Sequence, residues 1–108
     1  MQNGLYGVHF ITPLGVGAGV VVLRDGKVQG GDAGIYYDGT YSIEGDKFSA
    51  NLRTDRHTPI PGVVSVFGVD KVDIILKGQF VGTVATVEGT SPQAPGLTFQ
   101  ATLKKLAD

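Results

Sequence analysis

A two-residue Asp25-Gly26 step separates two β-like runs inside residues 17–41, GAGVVVLRDGKVQGGDAGIYYDGTY. Asp-Gly accommodates the two positive φ angles of a type I′ turn, and the twist of that turn matches the twist of paired antiparallel strands. The sequence therefore predicts a hairpin between Gly19–Arg24 and Lys27–Gln29. The following Gly30-Gly31-Asp32 predicts a bend, because glycine tolerates backbone angles that other residues avoid.

The rest of the chain consists of similar short runs, in which apolar residues alternate with polar ones or occupy both faces, as in β-strands. Further strands are predicted at Asn3–Thr12, Ile35–Glu44, Lys47–Asp55, Asp70–Lys77, Gln79–Glu88 and Leu97–Lys104. Lys77-Gly78 predicts a tight turn between two of these strands. Asp38-Gly39 predicts a bulge inside another, since a turn there would leave only stubs on either side. The last strand is expected to direct inward Leu97, Phe99, Ala101 and Leu103.

Residues 55–68, DRHTPIPGVVSVFG, interrupt this pattern, and their two prolines allow at most one short helix. Residues 89–96 have the composition of a loop. Eight sequential antiparallel strands close most economically as an up-and-down barrel, because closure removes exposed sheet edges. The fold prediction is an all-β, eight-stranded antiparallel barrel that forms one domain over residues 1–108, with a β-sandwich as the alternative.

Composition excludes several classes of function. Glycine accounts for 17 of the 108 residues, roughly twice the usual share of about 7%, and its spread between apolar runs indicates turns. The formal net charge of −1 provides no general attraction to nucleic acid or to an anionic membrane. Without cysteine the chain has no disulfide and no thiolate site. No apolar run approaches the ~20 residues of a membrane-spanning helix, and the expected location is cytoplasmic.

No motif in the sequence carries catalytic chemistry, so we predict a protein that is not an enzyme and has no cofactor or metal. His9 and His57 stand without a serine and an acid in a catalytic pattern. Residues 15–19, GVGAG, imitate a dinucleotide-binding loop, but they run into a hairpin where such a loop requires a helix. Gly30-Gly31-Asp32 likewise lacks the helix that would present amides to a phosphate.

The aromatic residues leave two alternatives open for the barrel interior. Either the rings fill the barrel, or they line an incompletely filled space that suits a small apolar ligand. The candidate lining residues are Tyr6, Phe10, Tyr37, Phe48, Phe80 and Phe99. Small residues such as Ala50, Ala101 and Gly82 would provide the room that the second alternative requires.

The first two predicted strands are apolar on both faces. If one face fills the barrel, the other requires a cover, and a subunit interface is the simplest one. The sequence therefore predicts a homodimer, with interface candidates Leu5, Ile11, Val21 and Leu23.

A set of glycine-centred features in the first 40 residues resembles the GrlR family of negative regulators of type III secretion. These features are Gly4-Leu5-Tyr6 with Val8 and Phe10, Gly17-Ala18-Gly19-Val20, Asp25-Gly26-Lys27-Val28, Gly30-Gly31-Asp32 and Tyr37-Asp38-Gly39. Beyond residue 45 the similarity lies in the strand pattern and in Ile60-Pro61. Such residues are structural, so the resemblance is more specific for the fold than for the function.

The resemblance implies a lipocalin-like barrel, a homodimer and a regulatory role exercised by binding a protein, which in that family is a transcriptional activator. It also implies a partner contact at an acidic surface motif of four consecutive acids after the fourth strand. In this chain the motif is reduced to Glu44 and Asp46, with Lys47 beside them. The prediction is a non-enzymatic regulatory binding protein; the alternative is a lipocalin-like binder of a small apolar ligand.

Overall fold

The computed structural model describes residues 1–63, 65 and 67–108, and this part of the chain forms eight β-strands and no helix. The strands are β1 (Gly4–Thr12), β2 (Gly15–Arg24), β3 (Lys27–Gly31), β4 (Ile35–Glu44), β5 (Lys47–Arg56), β6 (Val72–Val81), β7 (Val84–Thr90) and β8 (Phe99–Ala107). Each strand pairs antiparallel with the next, and β8 pairs back with β1. The predicted up-and-down barrel is confirmed, and the sandwich alternative is wrong.

The Asp25-Gly26 hairpin forms as its residues predict. Asp25 has φ 52° and Gly26 has φ 85°, the positive angles that the turn requires. Asn3 fastens the turn from outside, because its side-chain amide donates to Asp25 Oδ1 over 3.0 Å and its Oδ1 accepts from the Asp25 N–H over 3.1 Å. The start of the chain and the β2–β3 turn therefore lie at the same end of the barrel.

The structural roles of two glycines, Gly78 and Gly39, differ from those predicted. The tight turn assigned to Lys77-Gly78 is wrong, because both residues lie inside β6, where they pair with Glu88 and Val87. The chain reverses instead at Gly82, which has φ 60°. A glycine within a strand often marks a close backbone approach, and a Cβ on Gly78 would lie 1.9 Å from the carbonyl oxygen of Thr86.

The bulge predicted at Asp38-Gly39 is also wrong, although the prediction of one long strand there is correct. β4 keeps a regular register with β5, in which Asp38 pairs with Arg53 and Gly39 with Leu52. A Cβ on Gly39 would lie 1.9 Å from the carbonyl oxygen of Asn51. The glycine therefore lets two strands approach each other in a tightly coiled sheet, without an extra residue in the ladder.

The β5–β6 connection, residues 57–71, forms no helix among its described residues, and Val64 and Val66 of the segment considered for a helical turn lie outside them. Arg56 organises the connection. Its Nε and Nη2 donate to the two carboxylate oxygens of Asp70 over 2.9 and 2.8 Å, and Nη2 also donates to the Val63 carbonyl over 2.8 Å. A bidentate ion pair therefore holds this connection across the end of the barrel.

The core lies inside the barrel and consists of the inward residues of the strands. The inward set includes Tyr6, Val21, Leu23, Val28, Phe48, Ala50, Val72, Ile74, Leu76, Ala85, Val87, Phe99, Ala101 and Leu103. The inward assignment of Leu97 is wrong, because this residue precedes β8 and is 43% exposed. No helix of the described chain has the length and apolar character needed to cross a membrane.

We expect Gly78→Ala to lower the free energy of unfolding by ~3 kcal/mol, because the added methyl group would overlap the Thr86 carbonyl and force two strands apart. Urea denaturation measures this loss. Gly7→Ala is the matched control, since the nearest atom to its Cβ is a flexible Leu106 methyl at 3.3 Å. Equal stability losses in the two variants would contradict the role assigned to close strand approach.

Candidate binding site at the mouth of the barrel

The two ends of the barrel are built differently. One end carries the short β2–β3, β4–β5 and β6–β7 turns together with both chain termini. Tyr6 is completely buried towards this end, and its hydroxyl donates to the Gln2 carbonyl over 2.6 Å. Met1 also packs against the core. The opposite end carries the β1–β2 and β3–β4 turns and the two long connections, and we call it the mouth.

The barrel interior is almost filled. The space that remains has a volume of about 50 Å³, well below the ~150 Å³ of a cavity that accepts benzene. Four of the predicted lining residues surround it, namely Phe10, Tyr37, Phe48 and Phe99, together with Ala50 and Ala101. Tyr6, Phe80 and Gly82 are not among the residues that line this space, and Gly82 lies in the β6–β7 turn. The ring-filled alternative therefore describes the interior.

A second and larger space lies at the mouth. Its volume is about 250 Å³, and its wall includes Leu14 and Val16 of the β1–β2 hairpin and Val63 of the long connection. Phe10, Asp32 and Ser65 border both this space and the interior one. The two spaces are therefore neighbours that share these three residues. This mouth was not foreseen from the sequence, because its wall comes from the β1–β2 hairpin, the β3–β4 turn and the β5–β6 connection, which are separate in the sequence.

The Phe10 ring occupies the room left by a glycine on the neighbouring strand. Phe10 pairs with Gly17, and a Cβ on Gly17 would lie 2.4 Å from the ring. Phe99 covers Gly89 in the same way, with 2.2 Å between the ring and the missing Cβ. An aromatic ring lying over a cross-strand glycine restores the packing that the glycine lacks. Both rings are thus fixed against the barrel wall.

Asp32 forms the polar part of the site. Its Oδ1 accepts hydrogen bonds from the N–H groups of Gly34 and Ile35 over 3.0 and 2.9 Å. Its Oδ2 accepts one from the Tyr37 hydroxyl over 2.6 Å. The first two bonds are those of an Asx-type turn, so the predicted bend after Gly30-Gly31 is confirmed. The carboxylate is thereby held rigidly at the boundary between the two spaces.

Tyr37 is a permanent hydrogen-bond donor to Asp32. Burial raises the pKa of the Tyr37 hydroxyl far above its usual value, and the hydrogen bond to the Asp32 carboxylate raises the pKa further. The absence of a side chain at Gly19 makes room for this hydroxyl, because a Cβ there would lie 2.9 Å from it. The Tyr37 phenol therefore loses its proton at a higher pH in the folded protein than in the unfolded chain.

The two histidines lie in different parts of the structure and form no common site. His57 Nε2 lies 3.0 Å from the Asp32 carbonyl, which can only accept, so Nε2 donates and Nδ1 accepts from the Thr58 hydroxyl over 2.6 Å. His9 is exposed on the outside of β1, opposite Ala18 of β2. His57 thus holds the connection to the β3–β4 turn. Within residues 1–63, 65 and 67–108, no group of three histidine, aspartate or glutamate side chains is placed to bind a metal ion.

The predicted dimer residues divide between the two faces of the sheet. Ile11 is exposed and Leu5 is half-buried, and both point outward. Val21 is 3% exposed and Leu23 is completely buried, so their assignment to an outer interface is wrong. A shift of one residue inverts the face of a strand, and the outward residues of β2 are Val16, Ala18, Val20 and Val22 instead.

The predicted partner residues lie on a turn. Glu44 and Asp46 are both exposed in the β4–β5 turn, at the end of the barrel opposite the mouth. Lys47 is the register partner of Glu44, so a positive charge lies directly across the ladder from one of the two carboxylates. The turn therefore presents two acids and one base to solvent.

Comparison with known proteins does not assign the site: no protein-family model matches the chain, and no curated protein sequence matches it either.

We expect Tyr37→Phe to lower the free energy of unfolding by about 1–2 kcal/mol at neutral pH, because Asp32 loses a hydrogen-bond donor. The wild-type protein should lose stability above pH ~10, where Tyr37 ionises in the unfolded chain but not in the folded one. In the variant this part of the pH dependence should be absent. Urea denaturation between neutral and alkaline pH measures both effects.

Tyr36→Phe is the control for that experiment, because the Tyr36 side chain is 43% exposed. Its stability at neutral pH should stay within about 0.5 kcal/mol of the wild-type value. A Tyr37→Phe variant that retains the full alkaline loss of stability would contradict the assignment of this loss to Tyr37.

Proposed function

We propose that this chain is a non-enzymatic regulatory binding protein that acts as a homodimer and contacts a partner protein through the outside of its barrel. The GrlR resemblance makes a transcriptional activator the first partner to consider. The observation that carries the proposal is an uncovered aliphatic surface on the first hairpin. The nearly filled interior supports it too, since a filled barrel leaves the outside and the mouth for binding.

The surface lies on β1 and β2 and is called here the β1–β2 outer face. It consists of Leu5, Ile11, Val16, Val20 and Val22 of the hairpin and Leu106 of β8. Val16 is 83% exposed and pairs with Ile11, which is 64% exposed. Leu106 joins them because its methyl groups lie over Gly7, at 3.3 Å from the position of a Cβ there. Contiguous exposed aliphatic groups of this kind mark interaction surfaces.

A second copy of the chain is the occupant that this face fits best. Residues 5, 7, 9 and 11 of β1 and residues 16, 18, 20 and 22 of β2 include no lysine, arginine, aspartate or glutamate. Two exposed cations lie beside them, Arg24 at the end of β2 and Lys104 of β8, which pairs with Gly7. The uncharged centre of this face can meet its own copy across a two-fold axis without like-charge repulsion there. Homodimer interfaces are also the more apolar class of interface. The face thus supports the predicted dimer with a corrected set of β2 residues.

The acidic turn supports a contact to a different protein. Glu44 and Asp46 are exposed at the end of the barrel opposite the mouth, and their charges remain available to a basic partner despite Lys47. Exposed charges of this kind contribute more to the rate and specificity of association than to its affinity. Because the turn lies at one end of the barrel, it stays accessible in a dimer formed through the β1–β2 outer face.

The alternative function, a carrier with a small apolar ligand inside the barrel, is less well supported. The interior space of about 50 Å³ is far smaller than the ~300–1,000 Å³ of ordinary ligand pockets. A ligand wholly inside the barrel would have to displace Phe10 or Phe99, which the cross-strand glycines hold in place. If this chain binds a small molecule, the mouth offers the larger space.

We expect size-exclusion chromatography with light scattering to report a dimer at micromolar concentration. Val22→Lys should shift this dimer to monomer, because a charge would be buried without a partner in the interface. Thr86→Lys is the matched control, since Thr86 is exposed on β7, away from the hairpin, and this variant should remain dimeric. A monomeric wild-type protein, or a dimeric Val22→Lys variant, would exclude the β1–β2 outer face as a dimer interface.

We expect the Glu44→Ala/Asp46→Ala double variant to lose affinity for the partner, while Asp38→Ala/Glu88→Ala retains it. Asp38 and Glu88 are exposed on the barrel wall, so the control removes the same charge at another place. The measurement is affinity capture from the source cells, with mass spectrometry to identify a DNA-binding protein and binding to that purified protein as the decisive step. Equal binding by the two double variants would exclude the acidic turn as the contact.

A further inference from the structure

We propose that the mouth of the barrel is a binding site for a small apolar molecule that carries a protonated amine, with the ammonium group on Asp32 and the apolar body against Phe10, Leu14 and Val16. The proposal rests on the juxtaposition of a fixed carboxylate with an apolar wall. It rests on different observations from those for the dimer and the protein partner, although Val16 belongs both to the mouth wall and to the β1–β2 outer face. It differs from the alternative of an apolar ligand inside the barrel in two respects: the ligand lies at the mouth, and it carries a positive charge.

The shape of the site suits a small molecule. The mouth space of about 250 Å³ and the interior space of about 50 Å³ meet at Phe10, Asp32 and Ser65. Their combined volume is close to the lower end of the ~300–1,000 Å³ range for ligand pockets. The wall is mostly apolar on the side of the β1–β2 hairpin, where Leu14 and Val16 contribute aliphatic groups. A short alkyl or single-ring body therefore matches the mouth.

The hydroxyl groups that border the two spaces already donate their protons to the protein. Thr12 Oγ1 donates to the Gly15 carbonyl over 3.1 Å, and Thr54 Oγ1 donates to the Asp70 carbonyl over 3.1 Å. Ser65 Oγ donates to the Val69 carbonyl, and Tyr37 donates to Asp32. A hydroxyl has one proton and two lone pairs. Towards a ligand these groups can therefore only accept hydrogen bonds.

Asp32 retains capacity for one more donor. A carboxylate offers about four acceptor positions, and the described structure uses three of them, for Gly34, Ile35 and Tyr37. The free position belongs to Oδ2, which has Tyr37 as its one donor while Oδ1 has two. An ammonium group supplies a donor and a balancing charge together, and such charge-assisted bonds are the stronger ones.

The local charge also favours a cation. No lysine, arginine or histidine is among the residues found to line either space. Arg56 interacts electrostatically with Asp32, but its hydrogen bonds go to both carboxylate oxygens of Asp70 and to the Val63 carbonyl. Asp32 and Asp70 together therefore exceed Arg56 by one negative charge. The same arrangement disfavours a fatty acid, whose carboxylate would meet acceptors and a like charge.

The test compares hexylammonium, hexanol and hexanoate, which share a chain length and differ in charge, as probes for the full-length protein labelled with ¹⁵N. Amide chemical shifts of Gly34 and Ile35 report directly on Asp32. We expect saturable shifts with hexylammonium at millimolar concentration, weaker ones with hexanol and none with hexanoate. Asp32→Asn, which keeps an acceptor for both amides, should weaken hexylammonium binding about tenfold or more. The control Asp38→Asn removes an exposed carboxylate from the outside of β4 and should bind like wild type.

Several results would overturn the proposal. They are the absence of saturable shifts with hexylammonium, equal shifts with hexanoate, shifts confined to the β1–β2 outer face, and unchanged binding by Asp32→Asn. If Asp32→Asn fails to fold, Leu14→Ser decides instead, because Leu14 is 59% exposed and its replacement removes apolar wall without touching the core. Retained affinity in Leu14→Ser would then count against the site. None of these outcomes changes the light-scattering or capture results expected for the protein interactions.

Discussion

The pairing of β1 with β8 is the interaction on which the rest of the structure depends. The first and last strands meet in an antiparallel ladder from Leu5 opposite Ala107 to Ile11 opposite Gln100, with one register shift between Leu5 and Tyr6. This ladder converts a meander into a closed cylinder and removes both sheet edges. It also places Leu106 over Gly7 and so extends the β1–β2 outer face. Since the paired residues are far apart in sequence, closure carries a loop-entropy cost that the packed interior offsets.

Closure of a small barrel leaves little internal space, and this limits how the protein works. Eight strands enclose an interior that their own side chains can fill, and here Phe10, Phe48 and Phe99 contribute to that filling. Cross-strand glycines under Phe10 and Phe99 allow the rings to lie flat against the wall. The surfaces left for binding are the β1–β2 outer face, the β4–β5 turn that carries Glu44 and Asp46, and the mouth. The β4–β5 turn lies at the end of the barrel opposite the mouth, whereas the outer face and the mouth adjoin at Val16.

At the mouth, Asp32 stabilises the backbone and also presents a carboxylate that could bind a ligand. Asp32 closes the β3–β4 turn through two backbone amides and accepts a hydrogen bond from the Tyr37 hydroxyl. His57 then joins the same turn to the long connection through the Asp32 carbonyl. Arg56 and Asp70 hold the other side of that connection. The carboxylate is therefore held in place before any ligand arrives, and preorganisation of this kind reduces the cost of binding.

Much of the fold could be predicted from the sequence, because its signals are local. Asp25-Gly26 determines a hairpin through its own φ angles, and the alternation in Lys47–Arg56 determines which side chains enter the core. Less of the site could be predicted. Gly78 resembles a turn residue in the sequence, and only the distance to Thr86 shows that it permits close strand contact. Whether Val21 and Leu23 point inward or outward depends on the register of β2. A shift of one residue exchanges the two faces of a strand, and in a strand that is apolar on both faces the sequence does not show which one is buried.

What the sequence by itself determined is therefore the strand class, the number of strands and the main hairpin. What only the tertiary structure decided is the register of β2, the filled interior and the mouth. The mouth, for example, arises where Phe10 of β1, Asp32 of the β3–β4 turn and Ser65 of the β5–β6 connection border the same spaces. The physical reason is that propensity and turn geometry act between neighbours in the chain, whereas packing and charge act between neighbours in space.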